Sequence, residues 1–199
     1  MKKVAFLLFG ALIFMAAGNK NSLSIGDSAP LQKEKMEDIS GKAMSLAEAK
    51  LENGLLVIFS CNTCPYVIAW EDQYNPMYEL GKKNGIGTVL INSNEAKRKG
   101  DDSMQEMKNH AKKESYSMPY LVDTNSKLAD AFGANTTPHI YLFDADMKLV
   151  YKGAINDKYE SSAKTAKKFY LEDAINALGS GNEIKVKETK NRGCSIKRV

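Results

Sequence analysis

The stretch Leu55-Leu56-Val57-Ile58-Phe59-Ser60-Cys61-Asn62-Thr63-Cys64-Pro65 decides how this 199-residue chain reads. Its first five residues form a continuous apolar run, preceded by the Asn53-Gly54 turn. Such a run between turn signals reads as a strand buried on both faces. Pro65 then opens a new segment. Proline lacks an N–H and has its φ preset for the first helical turn, so Pro65 marks a helix start and Cys64 its N-cap. Two cysteines two residues apart therefore sit at a strand-to-helix junction, Cys61 in the loop and Cys64 at the cap.

Outward from this junction, strands and helices alternate. Val67, Ile68, Trp70, Tyr74, Met77, Tyr78 and Leu80 carry a helix ended by Gly85, with a kink expected at Pro76, which removes a backbone donor. Residues 88–91 read as a second buried strand, 103–113 as a helix, 120–122 as a short strand, and 126–132 as a helix closed by Gly133. Residues 139–143 and 149–151 flank the Asp144-Ala145-Asp146 turn as a hairpin. Residues 162–178 have the spacing of an amphipathic helix, with Ala166, Phe169, Tyr170, Ala174, Ile175 and Leu178 inward. Nearer the N-terminus, residues 26–30 form a turn and 38–45 suit a hairpin about Gly41. This order predicts an α/β fold: a central mixed sheet flanked by helices, with an N-terminal hairpin extension.

Composition narrows the function classes. Hydrophobic residues make up 43% and charged residues 26%, with Lys+Arg 28 against Asp+Glu 24 and a net charge of +4. That profile excludes collagen-like, mucin-like, disordered and disulfide-dense scaffolds. Lys2 and Lys3 fall in the leader described next, so the remainder is nearly balanced and has no charge signature for nucleic acid or an anionic membrane. Met1-Lys2-Lys3, the apolar run 4–17, and small residues at Ala16 and Gly18 read as a secretory signal peptide. The run is short for a bilayer span of roughly 20 residues, so membrane contact is expected only through an uncleaved leader. The expected division is a signal peptide over 1–18, one domain over 19–183 and a C-terminal tail over 184–199. The expected destination is periplasmic or secreted, where thiols meet oxidising conditions.

A pair spaced C-x-x-C can close a small disulfide ring, here Cys61–Cys64. A zinc site would need two further ligands, and Cys194, His110 and His139 form no second pair, so no metal is expected. Haem attachment would need His at position 65, where Pro stands. A purely structural disulfide is possible, but a tight pair at a strand-to-helix junction is a poor place to staple distant chain. Redox exchange fits best. Unpaired N–H groups at the helix start favour a thiolate at Cys64. The thiolate is the attacking form, so Cys64 is assigned as nucleophile and Cys61 as resolving partner, with the reverse assignment left open. Cys194 makes the cysteine count odd: it is a resolving cysteine reaching Cys64, an intermolecular partner, or an inert buried thiol. His139 reads as a plain strand position, His110 as surface, and Lys97-Arg98-Lys99 as a solvated face.

Over residues 25–153 the chain resembles the thioredoxin-like superfamily, in its alkyl hydroperoxide reductase and thiol-specific antioxidant (peroxiredoxin-like) branch. The resemblance rests on Gly26-Asp27-Ser28-Ala29-Pro30, the 55–59 strand, Cys61 to Pro65, the 144–153 hairpin, and Thr136-Thr137-Pro138. The last is similar to the Thr-cis-Pro loop that faces the active cysteine, which implies a cis Pro138 and makes Thr137 and Pro138 substrate-contact residues. Phe59 lies five residues before Cys64, the gap found before a thioredoxin's nucleophile. A peroxiredoxin resembles P-x-x-x-T-x-x-C; here the Thr place holds Cys61 and the Pro place Val57. None of Arg98, Arg192 and Arg198 is near Pro138 in sequence. With the leader, which points to export, the resemblance implies a thiol–disulfide oxidoreductase that needs no cofactor and exchanges with a protein or small-molecule disulfide or thiol partner. The alternatives are a thiol peroxidase with an antioxidant role, and a non-catalytic binding domain with a static disulfide.

Overall fold

Two strands buried at every position set the layering. The computed structural model describes residues 22–158 and 165–199, so the expected leader lies outside the described residues. In chain order the elements are β1 (Met36–Asp38), β2 (Ala43–Met44), α1 (Leu46–Ala49), β3 (Gly54–Ser60), α2 (Pro65–Trp70), α3 (Tyr74–Lys83), β4 (Ile86–Asn92), α4 (Met104–Lys113), β5 (Tyr120–Val122), α5 (Lys127–Phe132), β6 (Thr136–Thr137), β7 (His139–Asp144), β8 (Leu149–Gly153), α6 (Tyr170–Gly179) and β9 (Cys194–Ser195). The main sheet has the order β2-β1-β5-β4-β3-β7-β8, and β6 pairs with β9 in a small second sheet. β3, β4 and β5 run parallel, while β1, β7 and β8 add antiparallel. The sheet is therefore mixed, as expected, and the β1–β2 hairpin extends it beyond β5.

Alternation along β3 sorts its side chains between two cores, because successive strand residues point to opposite faces. Leu56 and Ile58 face a core that includes Val67, Trp70, Tyr74, Met107, Leu171 and Ile175 from α2, α3, α4 and α6. Leu55, Val57 and Phe59 face a second core with Leu46, Leu128 and Phe132 from α1 and α5. Edge-to-face contacts tie Phe59, Phe132 and Tyr141 together at centroid distances of 5.2–5.7 Å. Truncating one of these buried rings to Ala would cost about 3–5 kcal/mol. Among the described residues no helix is long and apolar enough to cross a membrane.

Two expectations need correction. The break expected at Pro76 falls earlier: the helix after Cys64 stops at Trp70, passes through a 3-10 turn over Glu71–Gln73, and restarts at Tyr74. Pro76 then stands in the first turn of α3, where its missing donor would have had no intrahelical acceptor. The helix expected over 162–178 begins only at Tyr170. Residues 162–164 lie outside the described residues. Ahead of α6 the Asp157 carboxylate accepts the N–H groups of Lys167 and Lys168 at 2.7 and 3.0 Å, and Phe169 is exposed. That anchoring holds the backbone away from a helical path.

The 184–199 segment belongs to the folded unit. Ile184 packs in the first core and Ile196 in the second. Glu188 bridges to Lys152 beside β8, and β9 pairs with β6.

Candidate active site

The end of β3 and the start of α2 carry the cysteines. Cys64 is the N-cap of α2 with an extended backbone, φ −72° and ψ 124°, and Pro65 stands in the first turn. β7 pairs with β3 so that His139 is opposite Phe59. This register brings Thr137, two residues earlier, to the level of the cysteine loop. The Thr137–Pro138 peptide is cis. Thr137 contacts both sulfurs: its Oγ1 is 3.1 Å from Cys61 Sγ, and its carbonyl accepts from the Cys64 thiol at 3.2 Å. The third cysteine joins them, with Cys194 Sγ in direct contact with Cys64 Sγ. All three are free thiols, so the Cys61–Cys64 disulfide expected from the motif is not closed in this structure. The backbone edge of Thr137, expected to face a substrate peptide, is paired with Cys194 of β9.

Hydrogen bonding and burial divide the protons unequally. The Cys61 thiol is pushed up by its hydrogen bond to Cys64 and then by burial. Cys64 is lowered, chiefly because Cys61 donates to it, with the Cys194 thiol and the Val67 amide of the first helical turn adding to the effect against burial. Cys194 is pushed up to about 11, first by burial and then by its hydrogen bond to Cys64. Negative charge therefore collects on Cys64, the sulfur nearest the helix start. A hydrogen bond that favours the charged form lowers a pKa, and desolvation opposes it.

Beneath the loop lies a polar scaffold that sequence reasoning missed. Asp102 is fully buried and accepts from the Asn62 N–H (2.9 Å), Asn92 Nδ2 (2.8 Å) and Asn94 Nδ2 (2.9 Å). Tyr120 donates its hydroxyl to Asn62 Oδ1 at 3.0 Å. A buried carboxylate is tolerated only when its oxygens are met by donors, and here these donors fix the residue that follows Cys61. Two short polar stretches, Asn92-Ser93-Asn94 after a buried strand and Asp101-Asp102-Ser103 before a helix, were the available signal. Arg98, expected on a solvated face, is instead drawn inward and donates to the carbonyls of Asp102 and Asn92, each at 2.8 Å. His110, expected on the surface, is drawn in as well: its Nε2 lies 2.8 Å from the buried Glu71 carboxylate, which also accepts from the Tyr116 hydroxyl at 3.0 Å.

His139 keeps to its strand and turns away from the sulfurs. It pairs with Phe59, whose side chain lies in the second core, and its Nδ1 is 3.3 Å from the Tyr141 hydroxyl. A polar cleft opens beside Asn62 and Thr63, lined also by Lys99, His110 and Lys113. Among the described residues no group of three or more His, Cys, Asp or Glu side chains is placed to hold a metal ion.

Residues 25–152 match the AhpC/TSA family, well over half of the chain. No curated protein matches the chain. Two solved structures are similar at 30% identity over 90% of the chain. One is a hypothetical protein, SMc02350, from Sinorhizobium meliloti (TM-score 0.82, 97% of its own length covered). The other is an uncharacterized conserved protein from Geobacillus kaustophilus (TM-score 0.83, 94% covered). More remote neighbours share the fold. The thioredoxin domain of a thiol-disulfide oxidoreductase from Bacteroides vulgatus has 20% identity and TM-score 0.57, covering 67% of this chain and 90% of its own. The peroxidoxin BcpB of Mycobacterium tuberculosis has 13% identity and TM-score 0.56, covering 78% and 94%. A mixed sheet between two helical layers, a cysteine pair at its strand-to-helix junction and the match over residues 25–152 lead to one statement: this chain is a member of the AhpC/TSA family, built on the thioredoxin-like fold.

Proposed function

We propose that this protein is an exported thiol–disulfide oxidoreductase in which Cys64 is the nucleophile. The observation that carries the reading is the placement of the two sulfurs: Cys64 stands at the N-cap of α2, and Thr137 contacts both Cys61 Sγ (3.1 Å) and Cys64 Sγ (3.2 Å); the lowered Cys64 pKa agrees with it as the nucleophile. In the reductive direction the Cys64 thiolate attacks one sulfur of a substrate disulfide. The other substrate sulfur leaves with the electron pair and takes up a proton. Cys61 then gives up its proton and attacks Cys64, closing the Cys61–Cys64 disulfide and releasing the second substrate thiol. Thr137, in contact with both sulfurs, keeps them in register for that closure. Pro138 shapes the same loop, and the partner that restores the thiols is a protein or small-molecule thiol. Export is supported by the leader over residues 1–18.

The test is turnover of oxidised glutathione by the reduced protein, with trapping of the intermediate. Cys64→Ser should abolish turnover. The double variant Cys61→Ser/Cys194→Ser, which keeps only Cys64, should accumulate a glutathione adduct on Cys64. Full turnover by Cys64→Ser, or no adduct at Cys64 in the double variant, would overturn the assignment.

A further inference from the structure

A two-cysteine exchange leaves Cys194 without a role, yet the chain around it is built to hold its sulfur in place. On one side Gly193 lies so close to the Thr137 carbonyl that a Cβ there would meet the oxygen at 2.3 Å, and Asn191 donates to the Thr136 hydroxyl. In the middle, Cys194 and Ser195 pair with Thr137 and Thr136. On the other side the Ile196 N–H donates to the Asn135 carbonyl (2.9 Å) and its side chain is buried. The Lys197 N–H donates to Asn94 Oδ1 (2.8 Å), and Arg198 pairs with Asp130 (2.8 Å). These anchors set Cys194 Sγ against Cys64 Sγ. Cys61 and Cys64 are only 2% and 4% exposed, whereas Cys194 is half-buried. Of the three cysteines, Cys194 is the most exposed residue.

We propose that Cys194 is the exchange port of a three-cysteine centre: a disulfide closed between Cys61 and Cys64 passes to Cys64–Cys194, and an external dithiol attacks it there, at the Cys194 sulfur. This rests on the thiol–disulfide reading above. In the handover, Cys194 loses its proton to solvent and attacks Cys64 Sγ. The Cys64–Cys194 bond forms as the Cys61–Cys64 bond breaks. The electron pair leaves on Cys61, which takes up a proton, so nothing is oxidised or reduced overall. In the exit step a thiolate of the external dithiol attacks Cys194 Sγ, and Cys64 leaves with the electron pair. The dithiol's second thiolate then attacks its own sulfur in the mixed disulfide, freeing Cys194. The dithiol has become a disulfide, and its two electrons and two protons rest on Cys64 and Cys194. The direction of attack follows from access and from leaving-group quality. A thiol that ionises easily leaves faster, and Cys64 ionises more easily than Cys194.

Two arms test this on the purified protein. Cys61→Ser, treated with oxidised glutathione, should form a Cys64–Cys194 disulfide, seen by mass mapping of unreduced peptides. A stable glutathione adduct on Cys64 with Cys194 free would overturn the proposal. This arm keeps Cys194 in place, so it does not depend on the tail tolerating a substitution. In the second arm the oxidised wild type and oxidised Cys194→Ser are reduced with dithiothreitol. Loss of the exposed port should slow reduction by about tenfold or more, and equal rates would overturn the port. Oxidised Cys194→Ser should still carry Cys61–Cys64; its absence would count against the exchange reading itself, a failure separate from that of the port.

Discussion

Cys61 and Cys64 both lie against Thr137, and the environment decides which of the two sulfurs ionises more easily. Cys61 faces the first core and lies within the field of the buried Asp102 carboxylate, which disfavours a second negative charge. The neighbouring Cys61 and Cys194 thiols lower the Cys64 pKa. A residue close by in sequence obeys the opposite logic. His139 follows Pro138 directly, but its imidazole is buried in the second face of the sheet and its pKa is pushed down to about 3, by burial first and by the Lys152 charge second. The unfolded chain binds this proton near pH 6.5, while the folded protein refuses it until about pH 3. Between those values the unfolded state holds more protons, so stability is intact above the upper value and falls as pH falls below it. His139→Phe should therefore shrink the loss of stability between pH 7 and pH 5 by about 2 kcal/mol. Urea unfolding at the two pH values measures it, and an unchanged loss would show that His139 is not the group responsible.

At the scale of elements, signals that sit within one stretch of chain were legible. β3 and β4 appear as apolar runs, the hairpins as Gly41 and Asp144–Asp146 turns, and α4 through its Ser103 cap, whose hydroxyl accepts from the Glu106 N–H. Cys61, Cys64, Thr137 and Pro138 could be named for the same reason, since each belongs to a short motif. Asp102, Asn92, Asn94 and Tyr120 could not. They converge on the Asn62 loop only because β4 and β5 lie side by side, a tertiary fact with no local trace. β9 is the extreme case: two residues have no periodicity to read. What locates it is the missing Cβ of Gly193 against Thr137 and the burial of Ile196. Gly193→Ala should push β9 off β6, because a backbone carbonyl cannot yield as a flexible side chain can. A loss of about 1–3 kcal/mol in stability is expected from such overpacking, together with faster alkylation of Cys194. Unchanged melting and alkylation would mean that the tail accommodates the methyl group, and that close approach is not what places the strand.

Across the whole molecule, the placement of cations separates disulfide exchange from peroxide reduction. Both begin with a thiolate, but cleaving an O–O bond leaves charge developing on the departing oxygen, and a preorganised donor or cation there lowers the barrier. Two of the three arginines are engaged away from the sulfurs. Arg98 holds the Asp102 and Asn92 carbonyls with its terminal nitrogens. Arg198 is bound to Asp130 and to the Ala134 carbonyl. Arg192 is exposed two residues before Cys194, and in the reduced protein it makes no contact with a sulfur among the hydrogen bonds of the three cysteines. Val57, at the Pro place of the peroxiredoxin pattern, faces the second core, on the opposite side of the sheet from Cys61. At the Thr place stands Cys61, a sulfur beside Thr137 that can close a bond to Cys64 once it gives up its proton. The reduced protein should accordingly react with hydrogen peroxide no faster than a free thiol of similar ionisation, while its exchange with oxidised glutathione is much faster than that thiol's. Stopped-flow measurement of both reactions on one preparation checks this. A peroxide rate orders of magnitude above the free thiol would mean that Arg192 or another donor serves the leaving oxygen, and would make thiol peroxidase the working description of the site.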